Sequence, residues 1–177
     1  MLRVDGDIMC GDEKVCKFSI AGFFVVGILG TLMHFVYEWS GENGLVGLFA
    51  AVNESTWEHM KLLFFPMVAF ELYQCSKLGE AYPRILYGGF YATLVATACI
   101  PLLFYGYQIF TKGSVTVLNL LVFYVSVAIG MVLNYKWRDV CKSKGCQTLS
   151  VSLVVIVTLC FWLFTYLPPE GILFQEP

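Results

Sequence analysis

Charge is scarce in this chain. Only 14% of its 177 residues are Asp, Glu, Lys or Arg, against 58% hydrophobic. A soluble domain carries about 25% charged and about 45–50% apolar residues. Too few polar side chains remain here to coat a water-facing surface. The net charge of −2 and the lack of any basic tract with interleaved aromatics exclude a nucleic-acid binder. Histidine is scarcer still, with His34 and His59 alone, so carboxylates must complete any histidine metal site. No C-x-x-C spacing occurs among the seven cysteines.

What is present is apolar length. Five runs suit membrane-spanning helices: 18–37, 56–76, 85–110, 115–135 and 149–167. About 20 apolar residues cross the hydrocarbon core as a helix. The runs are continuous and lack a period of two, which argues for helices over strands. The expected fold is all-α: a polytopic transmembrane helical bundle of five spans in one domain, 18–167. Tails of 1–17 and 168–177 flank it.

Basic residues orient the spans. Nine of the eleven lie in the amino-terminal tail, the loop near 77–84 and the loop near 136–144. Five spans put these on one face, which the positive-inside rule makes cytoplasmic. The amino terminus is then inside and the carboxy terminus outside, in a multi-pass protein of the cell membrane with the lipid bilayer as its first partner. The first run follows an acidic tail and reads as a retained span, not a signal peptide. This topology puts Cys10, Cys16, Cys141 and Cys146 in a reducing compartment, as free thiols or, alternatively, a shared zinc site.

Polar residues inside the runs show which faces turn inward. Gly27, Thr31, His34 and Glu38 share one face of the first helix, and Thr116, Asn119, Ser126 and Gly130 one face of the fourth. Glu71 lies inside the second run. An acid at that depth should face protein or water, as a proton-relay candidate or as a packed group bonded to Gln74, Lys77 or Arg84.

The stretch NESTWEHMKLLFFP, 53–66, raises the main functional question. Its Ser55 and Glu58 fit a capping box, which accounts for one acid. Glu54, His59 and the facing His34 and Glu38 remain. The expected binding cluster at the outer leaflet is His34, Glu38, Glu54, Glu58, His59 and Asn119. Within it His34, Glu38, Glu58 and His59 could hold one divalent metal such as zinc, with an open water position.

The stretches EWSGENGLVGLFAAVNESTWEHMKLLFFP and YLPPEGILFQEP resemble a family of small bacterial membrane proteins of unknown function. The resemblance covers most of the chain and rests on VNESTWEH followed by FFP. It implies a multispan membrane protein and brings no catalytic residue. A weaker similarity is to the metal-dependent membrane hydrolases that include alkaline ceramidases and progestin/adiponectin receptors. Ser55 and His59 match their S-x-x-x-H, but the later H-x-x-x-H is missing here. The leading expectation is therefore binding or transport of a small solute or cation in an outward polar pocket. A metal-dependent hydrolase is the second, and a structural subunit with a membrane-protein partner the third.

Overall fold

The computed structural model describes residues 12–111 and 113–176. Cys10 and the rest of the first eleven residues lie outside this range. The described chain is helical throughout, without a strand: α1 (Glu13–Trp39), α2 (Gly44–Gly47), α3 (Thr56–Leu78), α4 (Ile85–Thr111), α5 (Thr116–Trp137), α6 (Lys144–Tyr166) and a terminal 3-10 turn (Ile172–Phe174). Each of the five expected runs coincides with a long helix, with Val115 and Leu167 as flanking cap residues of α5 and α6. Four of these, α1, α4, α5 and α6, are long and apolar enough to cross a membrane. The fifth, α3, carries Glu58, Lys61, Glu71 and Gln74, all buried.

The helices extend beyond the apolar runs because capping, not hydropathy, sets their ends. Asp12 precedes α1 in an extended conformation and accepts from Val15 N, so the helix starts five residues before the apolar run. Ser55 caps α3 and Ser143 caps α6 in the same way. Only half of the expected capping box forms. Ser55 Oγ accepts from Glu58 N, but Ser55 N donates to Asn53 Oδ1 and the Glu58 carboxylate points elsewhere.

The enclosed helix α3 packs against α1, α4 and α6, and α4 packs against α3, α5 and α6. One core cluster joins Val26 of α1, Leu63, Met67 and Phe70 of α3, Ala92 and Ala96 of α4, and Val127 and Met131 of α5. A second joins Phe64 and Phe90 to Val154 and Phe161 of α6. In lipid, apolar burial does not favour helix association as it does in water, so close backbone approach matters more. The small stripe Gly88, Ala92 and Ala96 is buried, and Gly130 of α5 lies against Ala96 and Met67.

Both α3 and α4 continue through their prolines, Pro66 and Pro101. Pro66 has no N–H for the Leu62 carbonyl one turn earlier. Gly30 of α1 covers that freed oxygen: a Cβ there would lie only 2.4 Å from it. Glycine is required at this crossing.

The cysteine expectation is corrected in part. Cys141 and Cys146 form a disulfide, with Cα atoms 5.3 Å apart, and Cys16 is disulfide-bonded as well, so these three are neither free thiols nor zinc ligands. The two cysteines flank Ser143, the cap of α6, whose side chain accepts from Cys146 N.

Asp12 also ties distant segments to the start of α1. Tyr82, in the α3–α4 loop, donates to its carboxylate, and Tyr135 of α5 accepts from its backbone N–H. The Tyr82 hydrogen bond holds the Asp12 carboxyl below the usual aspartate range. A folded-state value below the unfolded one stabilises the fold above the ordinary aspartate range and ceases to do so as pH falls through it. Asp12→Ala should lower stability by about 1 kcal/mol at neutral pH. The difference from wild type should shrink in acid, as read by thermal unfolding in detergent at a series of pH values.

Candidate functional site

Three segments bring polar side chains to one place. The carboxy-terminal end of α1 carries His34, the residue before the α3 cap is Glu54, and the first turn of α3 carries His59. His34 Nε2 lies 3.6 Å from Glu54 Oε1, and His59 Nε2 lies 3.5 Å from Glu54 Oε2. The imidazole rings meet edge to face, 5.2 Å between centroids. One donor atom from each residue can be chosen so that all three lie within 4.8 Å of one another.

Hydrogen bonding gives this triad a definite electrostatic character. His59 Nδ1 sits 2.9 Å from the Ser55 carbonyl oxygen. A carbonyl oxygen only accepts, so Nδ1 carries the proton. A neutral His59 then points its Nε2 lone pair at the Glu54 carboxylate. Two acceptors face each other there, and a proton or a metal cation between them resolves the contact. A backbone carbonyl that fixes the ring of a ligating histidine is also a common feature of metal sites.

The triad borders a cavity of about 630 Å³ among α1, α3, α4 and α5. Its polar side is formed by His34, Glu54, His59, Thr31 and Asn119, and its apolar side by Leu62, Ile100, Phe104 and Phe123. Asn119 is held at the rim by Tyr107, which donates to its Oδ1, and by Ser114, whose Oγ accepts from its Nδ2 at 2.9 Å. Thr31 is oriented by the Gly27 carbonyl and the Tyr124 hydroxyl. The carboxy-terminal tail reaches the same rim: Glu176 lines the cavity, and Tyr105 holds the Ile172 carbonyl at 2.9 Å.

Glu38 and Glu58 are not brought to the triad. Glu38 shares the His34 face but stands one turn further out; it is exposed and has no ion pair among the described residues. Glu58 is 2% exposed and faces the other way. Its Oε2 meets Lys61 Nζ at 2.5 Å and accepts from Val52 N at 3.0 Å, while its Oε1 lies 3.1 Å from Thr165 Oγ1 of α6. Lys61, with no exposure, also donates to the Gly47 carbonyl at 2.8 Å and to Thr165 at 2.9 Å. The metal set expected from sequence therefore loses Glu38 and Glu58 and gains Glu54. The i+4 spacing of Glu54 and Glu58 gave no means of choosing between them, because Thr165 lies far along the chain.

Glu71 lies elsewhere, sealed among α3, α4 and α5, with Gln74 and Asn134 as its neighbours. Lys77 and Arg84 do not reach it. Lys77 lies over the Tyr73 ring, and Arg84 pairs with Asp139. Asn134 was missed in the sequence, although it extends the Ser126–Gly130 stripe by one turn.

Fold and cavity together define an all-helical protein with membrane-capable helices and a polar-mouthed pocket between them. Residues 9–177 match the family of unknown function DUF6512, and the chain belongs to that family. No curated protein and no solved structure matches it.

Proposed function

We propose that this is a five-span membrane protein, amino terminus inside and carboxy terminus outside, that binds a small solute or cation in its outward cavity. The binding end is the His34–Glu54–His59 triad, and the favoured cation is a divalent metal of the zinc class. The observation that carries the reading is the convergence of two imidazoles and a carboxylate at the cavity, with His59 Nδ1 already committed to the Ser55 carbonyl. Two nitrogens and an oxygen suit zinc, and three protein ligands leave a fourth position open. The apolar wall of Leu62, Ile100 and Phe123 would accommodate the apolar part of a bound solute.

A second reading follows from that open position. Zinc with three protein ligands and a water is the arrangement of hydrolytic sites, so a metal-dependent membrane hydrolase is the alternative. Zinc retention together with ester or amide cleavage would favour it over simple binding.

Including α3 as a span follows from its place in the bundle. Neighbouring helices cover its charges, so its own sequence need not be uniformly apolar. The orientation rests on the nine-to-two division of basic residues. The Cys141–Cys146 disulfide, within a loop assigned to the cytoplasm, weighs against it, since disulfides persist mainly in oxidising compartments. Cys16, in the amino-terminal tail, is disulfide-bonded too and weighs the same way; the assignment rests on the charge division, which spans three separate segments. Cysteines introduced singly into 136–144 of a Cys141→Ser/Cys146→Ser background should resist impermeant reagents in intact cells. Labelling from outside would reverse the assignment.

Purified protein equilibrated with zinc and desalted should retain about one equivalent by elemental analysis. His34→Ala, His59→Ala and Glu54→Gln should each lose it, with helix content unchanged. Retention should fall in mild acid as the imidazoles protonate. Zinc uptake equal in wild type and the double histidine variant would remove the metal from the account.

A further inference from the structure

Helix α3 buries two glutamates, and their surroundings differ sharply. Glu58 has what an anion needs: a lysine ammonium at 2.5 Å and a backbone N–H at 3.0 Å, with the Thr165 hydroxyl, whose proton it shares with the Phe161 carbonyl, at 3.1 Å. Glu71, at zero exposure, has one amide group, that of Asn134. The same amide nitrogen also donates to Gln74 Oε1, at 2.9 Å. Three acceptor oxygens thus share a group with two protons.

No cation among the described residues lies within ion-pair distance of Glu71. The charged groups of the surrounding elements are engaged elsewhere or exposed, as Lys136 of α5 and Lys14 of α1 are. On α3, Lys77 covers Tyr73. At the start of α4, Arg84 pairs with Asp139. Beyond α5, Arg138 stacks on Tyr135. At the start of α1, Lys17 pairs with Glu13. The other titratable side chains on these stretches of α3 and α4 are Tyr73, Cys75, Tyr87 and Tyr91; Tyr91 donates to the Cys146 carbonyl. None supplies positive charge.

The pocket is nevertheless built for this side chain. Gly89 of α4 leaves the room: a Cβ there would lie 2.0 Å from Glu71 Oε2. Two more polar atoms, Gln74 Nε2 and Asn134 Oδ1, are fully buried and have no hydrogen-bond partner among the described residues. Isolated buried carboxylates are costly, and the usual resolution is to take up a proton. A neutral carboxyl also has an O–H to donate, and Asn134 Oδ1 is an acceptor without a donor. A half turn of the Asn134 amide brings that oxygen to the carboxyl.

We propose that Glu71, Gln74 and Asn134 form an internal proton-binding site, with Glu71 as a neutral acid at neutral pH. The bound proton is shared with the Asn134 amide. The site lies twelve residues beyond His59, about 18 Å along the same helix. It is separate from the outer cavity, so either proposal can fail while the other holds.

The test is infrared spectroscopy of the full chain in lipid nanodiscs at neutral pH. Wild type should show the carbonyl stretch of a protonated carboxyl that shifts with 13C-labelled glutamate and not with labelled aspartate. Glu71→Gln should abolish that band. It should also melt no lower than wild type, since a neutral amide replaces a neutral acid. Glu58→Gln, the same change one level higher, should keep the band and melt well below wild type because it strands Lys61. A wild-type spectrum without the band would overturn the proposal, whether or not the variants fold. So would a Glu71→Gln protein that melts as low as Glu58→Gln.

Discussion

The half of the molecule that holds the triad depends on a buried ion pair, Lys61 with Glu58. Neither reaches solvent, so both lose their hydration on folding. Such a pair is tolerable only when the remaining donors and acceptors are also satisfied. They are here: by the Gly47 carbonyl, the Val52 N–H and the Thr165 hydroxyl. Removing one partner alone costs about 3–5 kcal/mol in comparable sites. The pair draws together three segments of very different position in the chain: the loop after α2, the start of α3 and the end of α6. The loop so anchored continues directly into Glu54, which is thereby placed between His34 and His59.

Helix α3 carries polar chemistry in three places, each with its own solution. At its amino-terminal end the triad is partly exposed. In the same first turns, on another face, Glu58 and Lys61 neutralise each other. Deeper still, Glu71 has amides only. This accounts for a helix that belongs to the centre of the bundle yet is less apolar than its neighbours. An outlying helix such as α6, with few buried residues, has no such freedom and is apolar along its length.

Much of the architecture was legible in the sequence because continuous apolar length is a strong signal. The five runs match five long helices to within one residue at Val115 and Leu167, and the cap at Ser55 is where the sequence puts it. The earlier start of α1 was hidden by its polar first turn, although Asp12 is a recognisable cap. The triad was legible in outline, since both histidines and Glu54 were among the candidates. The partition of the acids was not. Glu54 and Glu58 differ in role through Lys61 and through Thr165, 107 residues away from Glu58. The same holds for Glu71, whose neighbour Asn134 lies 63 residues on. Pairings at such separations come from helix packing, which spacing along one helix does not reveal. The Cys141–Cys146 bond was misjudged because compartment, not proximity, decided the expectation.

The central claim is that the buried pair holds Glu54 in place for a cation between the two histidines. It is tested most directly by the zinc affinity of the Glu58→Gln/Lys61→Met double variant, measured by competition with a chromophoric chelator. This variant leaves no isolated charge and alters no proposed ligand. The account predicts affinity about 10–100-fold weaker than wild type, the range seen when groups supporting metal ligands are removed. Affinity equal to wild type in a folded double variant would contradict it.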